Sequence, residues 1–266
     1  MKIQENIRIL QFSNIVTTVI VFFINMLASS GFINNTTTGQ LSDNLPNLFV
    51  PAGITFSIWG IIYFLLFLFI TYQARSVVKT DVDKSNYLHR IGWFFVLSNF
   101  VNIAWIFSWH YELVPLSLFF MILLLASLIA IYLRLEIGDY SYTISSRDRF
   151  FFIVPFRVYL GWITVATVAN VTTFLVWIGV EPYNSTSVLL TIAMIFITTL
   201  VTVLILYRRK DIIFGLVIIW AFIGIVIKRL NPDYFIELNV ATAAAISSLI
   251  IVITILITIL IERKRK

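Results

Sequence analysis

The 266-residue chain contains no cysteine, so it can form no disulfide, thiolate nucleophile or zinc–sulfur site. Charge is also scarce. Asp, Glu, Lys and Arg together make up 12% of the residues, against about 25% in an ordinary soluble domain. A globule of this size could not cover its surface with so little charge, and a soluble fold is excluded. The two histidines, His89 and His110, fall at the ends of apolar runs, which leaves no imidazole deep in a membrane for axial haem ligation. All 13 carboxylates lie in loops or near helix ends, with Glu112, Glu237 and Glu262 closest to the apolar runs. A proton-coupled transporter normally buries a carboxylate or histidine, so their placement argues against one. The last apolar run has no lysine for a retinal Schiff base, and no His/Asp/Glu cluster suits a metal. The net charge of +6 does not point to nucleic acid, because the basic residues lie in short clusters between apolar runs.

What the chain does have is length in apolar stretches. It is 60% hydrophobic, with a mean hydropathy of +0.96, and a helix needs about 20 apolar residues to cross the hydrocarbon core. Runs of that kind occupy Ile9–Phe32, Pro51–Ala74, Ile91–Tyr111, Leu113–Leu133, Phe150–Val180, Val188–Tyr207, Ile212–Ile227 and Leu238–Ile261. They must be helical, since unpaired backbone in lipid is costly and no alternating barrel pattern appears. The expectation is an all-α polytopic membrane bundle of eight transmembrane helices. Ile212–Ile227 is the weakest span, being short and interrupted by Gly215 and Gly224.

Orientation follows from the basic residues. Lys2 and Arg8 precede the first run. Arg75, Lys79, Lys84 and Arg90 fill the second loop, Arg134, Arg147 and Arg149 the fourth, and Arg208, Arg209 and Lys210 the sixth. Arg263, Lys264, Arg265 and Lys266 form the tail. Only Lys228 and Arg229 fall on the opposite side, and Arg157 lies inside a run. Both termini are therefore expected in the cytoplasm, most simply in a cell membrane. The first apolar stretch exceeds the 7–15 residues of a secretory signal and reads as an uncleaved helix. Asn35-Thr36-Thr37 and Asn184-Ser185-Thr186 are glycosylation-type triplets in outside loops.

Pro182 and Asn184 mark the one plausible module boundary, dividing five helices in 1–180 from three in 181–266. The outside loop Ile33–Val50 is long enough for a lid and carries a single charge, Asp43. Three helices bear polar-aromatic stripes at helical spacing. These are Thr55, Trp59 and Tyr63 on the second; Asn99, Asn102, Trp105 and Trp109 on the third; and Trp162, Ala166 and Asn170 on the fifth. Trp59, Asn102 and Asn170 each lie roughly 12–14 Å below the outside end of their run. Aromatic rings with a few polar groups suit a flat hydrophobic ligand. Interhelical packing explains each residue equally well on its own. The asparagines can bond between helices, while Trp93, Trp177 and Trp109 suit interfacial belts. Arg157 is open to two readings, snorkelling to the headgroups or partnering an anionic ligand.

The same residues carry a resemblance. Pro51-Ala52-Gly53-Ile54-Thr55-Phe56-Ser57-Ile58-Trp59-Gly60-Ile61-Ile62-Tyr63 resembles the second-helix signature of the TspO/MBR family, the tryptophan-rich sensory proteins that include the mitochondrial translocator protein. Asn102-Ile103-Ala104-Trp105 resembles its third-helix Asn-x-x-Trp, and Trp162, Ala166 and Asn170 resemble its fifth-helix motif. The likeness covers 1 to about 180. It departs from the family pattern at Pro51-Ala52-Gly53-Ile54, at Trp109-His110 and at Pro155-Phe156-Arg157, and three further helices follow.

The resemblance implies a five-helix bundle with a ligand pocket closed by the first loop. Trp59, Tyr63, Asn102, Trp105, Trp162, Ala166 and Asn170 would line or support the pocket, with Asn99, Trp109 and Arg157 as accessory residues. The expected function is a receptor or carrier for a planar hydrophobic ligand, tetrapyrrole- or sterol-like. No cofactor is required, a porphyrin-type ligand being one option, and the partners are membrane lipid and a hydrophobic small molecule. A homodimer and an enzymatic role, photo-oxidative porphyrin breakdown, stay open, as does a transporter or scaffold built on helices six to eight.

Overall fold

A computed structural model describes residues 2–78, 82–138 and 145–264. Lys79, Arg265 and Lys266 of the basic clusters lie outside the described residues, and of Lys2 and Lys84 only the backbone is described.

The described chain is helical throughout. In order come α1 (Lys2–Ser29), α2 (Thr38–Asn44), a 3₁₀ turn (Gly53–Ser57), α3 (Ile58–Val78), α4 (Val82–Ile91), α5 (Phe94–His110) and α6 (Val114–Arg134). There follow α7 (Ser146–Asp148), a π-turn (Arg149–Ile153), α8 (Val154–Trp177), α9 (Ser185–Arg209), α10 (Ile212–Leu230) and α11 (Leu238–Lys264). By length and composition, seven of the described helices can cross a membrane, and the chain is an integral membrane protein. The weakest expected span, in α10, is among them at 19 residues. The third run is the one that falls short. Gly92 sits at φ +56° and ends α4 after Ile91, so α5 keeps only 17 residues. At 1.5 Å per residue that is about 25 Å, a few ångströms less than the hydrocarbon core.

Two compact units make up the chain. The first is Met1–Thr38 with Ile58–Leu160, and the second is Gly39–Ser57 with Gly161–Lys266. In the first, α1 packs on α3, α4 and α5, and α5 pairs with α6 through a tight turn in which Glu112 takes φ +55°. At the end where the basic residues gather, Phe69, Phe95, Phe152 and Phe156 are fully buried and meet edge to face, with centroids 5.2–5.8 Å apart. Pro155 has no N–H to give the carbonyl four residues earlier, at Phe151, and the wider π-turn lies over that stretch.

In the second unit α11 packs against both α9 and α10. Lys210, left-handed at φ +54°, ends α9, and the Asp211 side chain caps α10 by accepting from the Phe214 amide at 3.0 Å. The segment 39–57 also belongs to this unit, its 3₁₀ turn resting on α10.

Candidate functional site

In the first unit, Tyr63 and Trp59 lie one turn apart on α3, and Trp105 and Trp109 one turn apart on α5. The i, i+4 spacing makes each pair nearly parallel, and the two pairs continue one another. Centroids are 5.4 Å apart from Tyr63 to Trp59, 6.0 Å from Trp59 to Trp105 and 6.2 Å from Trp105 to Trp109, with interplanar angles of 15°, 27° and 23°. At these separations the rings are offset rather than face to face, the arrangement that their quadrupoles favour. Phe22 meets Tyr63 edge-on at 5.3 Å, and Tyr159 meets Trp59 edge-on at 6.0 Å. The result is a four-ring aromatic wall. Trp109, assigned above to an interfacial belt as one option, is buried within it. Trp93 and Trp177 are each 57% exposed, as belt residues would be.

Two hydrogen-bond donors in the wall have no partner. The Tyr63 hydroxyl and the Trp109 indole N–H are both buried and unbonded. They occupy the two ends of the four-ring series, and each unpaired donor costs on the order of 1–3 kcal/mol.

Beside the wall runs a seam of amides. Asn25 donates to Asn102 Oδ1 at 2.9 Å, and Asn102 donates to the Tyr159 hydroxyl at 3.1 Å. Asn102 therefore has partners on both sides within the protein, and its role here is to hold Tyr159 against Trp59. Asn99 donates to Thr17 and Thr18 of α1 at 2.9 and 3.2 Å. Further along, Asn14 bonds the Gln73 side chain at 3.1 Å. At the other end of α5, fully buried His110 has Nδ1 3.1 Å from the Ile33 carbonyl and Nε2 3.1 Å from the Thr38 hydroxyl. A carbonyl only accepts, so Nδ1 carries the proton in that contact, and in the neutral ring Nε2 accepts from Thr38.

Trp162, Ala166 and Asn170 fall in the second unit. Trp162 is buried and meets Phe56 edge-on at 5.7 Å, and Asn170 donates to the Ala166 carbonyl of its own helix at 2.9 Å. Arg157, in the first unit, is half-buried.

The second unit holds the segment 39–57 by contacts that sequence reasoning did not find. Trp220 Nε1 donates to the Thr55 carbonyl at 3.0 Å, and the Ala52 amide to the Gly224 carbonyl at 3.0 Å. Asn47 donates to Thr172 and Thr173 at 2.7 and 3.0 Å. Gly224 is indispensable to this approach, because an added Cβ would lie 2.0 Å from Thr55 Oγ1 and 2.8 Å from Pro51 Cβ. Lys228, 3% exposed, bonds Asp43, the single charge of that segment. Arg229, 2% exposed, donates to the Phe235 carbonyl at 2.9 Å. The Tyr234 hydroxyl faces Asp43 at 3.5 Å, and that carboxylate pushes its pKa above the usual tyrosine value. Lys228 and Arg229, the two cations that run against the charge bias, are thus buried and engaged, whereas that bias concerns solvated loops.

A protein-family model described as TSPO-like protein matches residues 11–257. The chain belongs to the TSPO-like protein family. The match extends beyond the three motifs of the resemblance and takes in α9, α10 and most of α11, so these helices lie within the TSPO-like match. No curated protein and no solved structure matches the chain.

Asn25, Tyr159 and Phe22 were not recognised from the sequence. A signal existed for Asn25, since Gln11, Asn14, Thr18 and Asn25 recur at steps of three, four and seven along one face of an otherwise apolar helix. Tyr159 lies three residues before Trp162 and so shares its stripe.

Proposed function

We propose that this TSPO-like protein is a membrane receptor or carrier that binds a planar, mainly apolar ligand bearing hydrogen-bond acceptors against the wall of Tyr63, Trp59, Trp105 and Trp109. The observation that carries the reading is the pair of buried, unbonded donors, Tyr63 Oη and Trp109 Nε1. A protein has little reason to keep two such donors in an apolar wall unless something else satisfies them. A tetrapyrrole, with a broad aromatic face and polar groups at its rim, fits that chemistry and agrees with the resemblance of the motifs. A sterol offers a flat apolar face but fewer acceptors. Asn102, Asn25 and Tyr159 act as supports that fix the orientation of Trp59.

The topology that goes with this reading has eight crossings, α5 being the short one, with both termini on the cytoplasmic side of a cell membrane. Seven crossings would put the basic N-terminal segment and the basic tail on opposite sides, against the charge bias. Residues 1–180 would form the ligand-binding module and 181–266 an accessory one. Removing 181–266 tests this division, because the shortened protein should retain saturable ligand binding.

The direct test is titration of purified protein with protoporphyrin, followed by quenching of tryptophan emission. Tyr63→Phe and Trp109→Phe should each weaken binding about five- to tenfold, the worth of one buried hydrogen bond. Tyr63→Phe should also raise the unfolding midpoint of the ligand-free protein, because it removes a buried hydroxyl that has no partner. Unchanged affinity in both variants would remove the wall from the binding site. Trp162→Phe, measured alongside, reports whether the fifth-helix stripe affects the same binding.

A further inference from the structure

A second feature of the first unit lies at the corner where the basic residues gather, and the aromatic wall has no part in it. A cleft of about 600 Å³ is bounded there by Ile9 and Leu10 of α1, by His89 and Trp93 at the α4–α5 corner, by Leu97 of α5 and by Arg134 at the end of α6. This is within the size range of a ligand site, and its two faces differ in chemistry.

The apolar face is open. Ile9, Trp93 and Leu97 are 52%, 57% and 47% exposed. The polar face is cationic. Arg134 donates through Nε and Nη2 to the carbonyls of Arg90 and His89, the second at 3.0 Å. The guanidinium thus caps the C-terminal end of α4, pinned in place, and its charge meets no carboxylate among the described residues. Its plane is further held over the Phe94 ring, 5.6 Å from the centroid. His89 is exposed beside it, and Arg8 is exposed on the turn of α1 that carries Ile9. Glu136, the nearest acid to Arg134 along the chain, is engaged by Arg90 at 2.8 Å.

We propose that this cleft binds one anionic glycerophospholipid, its phosphodiester against Arg134 and His89 and its acyl chains along Ile9, Trp93 and Leu97. A pinned cation that meets no carboxylate among the described residues favours an anion, and a guanidinium suits phosphate oxygens in particular. The open apolar face requires hydrocarbon rather than water, which a small hydrated anion does not supply. Exposed Trp93 places the cleft at headgroup depth, where indoles concentrate.

The test uses the full-length protein in detergent micelles. Native mass spectrometry compares phosphatidylglycerol, phosphatidylcholine with the same acyl chains, and glycerol phosphate. The expected result is one tightly held phosphatidylglycerol, bound about fivefold or more better than phosphatidylcholine, in line with the worth of a basic residue near an anionic headgroup. The preference should disappear in the double variant Arg134→Gln with His89→Gln and persist in Arg134→Lys, which keeps the charge. Phosphatidylglycerol brominated on its acyl chains should quench tryptophan emission at one equivalent, and Trp93→Phe should reduce that quenching. Equal binding of the two lipids by the unaltered protein would overturn the proposal, as would quenching unaffected by Trp93→Phe. Displacement of the lipid by an equal concentration of glycerol phosphate would overturn it too, by showing a site for free phosphate. If the double variant does not fold, the lipid comparison and the quenching experiment on folded protein still decide the matter.

Discussion

The two units differ in the polar residues that their apolar helices carry. In the first, carboxamides reach across helices: Asn14 to Gln73, Asn99 to Thr17 and Thr18, Asn25 to Asn102, and Asn102 to Tyr159, while hydroxyls such as those of Thr71, Ser108 and Ser127 bond their own helices. In the second, α9 and α11 carry mainly threonines, and these fold back on their own helices. Thr198, Thr199, Thr202, Thr254 and Thr258 each donate to the carbonyl four residues earlier, at 2.7–2.8 Å. A carboxamide has two donors and two lone pairs on an extended stem, so it can link helices. A threonine hydroxyl is satisfied by its own backbone and leaves the helix free to pack by shape. The second unit makes its long-range polar contacts elsewhere, between α8 or α10 and the segment 39–57. One unit fixes the register of helices around an aromatic wall, and the other fixes a loop.

That contrast can be broken at four places, in order of expected effect. Gly224→Val should be the most damaging, lowering stability by about 3 kcal/mol, because Cβ of Pro51 and Cβ of Thr55, which no side-chain rotation can move, lie within 3.0 Å of where the new Cβ would sit. Unfolding in a detergent mixture measures the loss, and protease cleavage within 39–57 shows whether the segment has come off α10. Lys228→Met should cost about 2 kcal/mol, less than for a fully buried pair because the Asp43 side chain is 27% exposed. Adding Asp43→Asn to that variant should recover most of the loss, and no recovery would mean that the pair does not hold the segment.

Asn102→Leu should cost about 1.5 kcal/mol, because Asn25 would keep only its bond to the Val21 carbonyl and the Tyr159 hydroxyl would lose the Asn102 donor. It should also shift the tryptophan emission spectrum as Trp59 loses its edge-on neighbour. Thr202→Val should change stability by less than about 0.5 kcal/mol, since its own-helix bond adds to a carbonyl that the helix already uses. If Thr202→Val proved as costly as Asn102→Leu, the distinction between the two units would fail.

Much of the fold could be read in advance, and the misses have specific causes. Seven of the eight apolar runs contain a described helix long enough to span, because hydropathy is summed along the chain and needs no knowledge of neighbours. The third run was overestimated because Gly92 and Trp93 are apolar by composition while Gly92 adopts a turn conformation. Trp59, Tyr63, Trp105 and Trp109 were legible as stripes, since i, i+4 spacing sets a shared face. Their junction into one wall was not, because it depends on how α3 and α5 meet. Asn102 was recognised as significant, but the sequence could not tell a pocket-lining amide from one already bonded on both sides. Lys228 and Arg229 looked like violations of the charge bias because burial and pairing cannot be seen in a list of charges.

Taken alone, the sequence settled the membrane character of the chain, its helical class and the helices that carry aromatic stripes, all of which follow from local composition and period. The partners of the polar groups were decided by the tertiary structure: Asp43 with Lys228, Thr55 against Gly224, Asn25 with Asn102, and the unbonded ends of the wall at Tyr63 and Trp109. A hydrogen bond or a steric contact depends on a distance of a few ångströms between residues that here lie as far as 185 positions apart in the chain, and no local pattern encodes that distance.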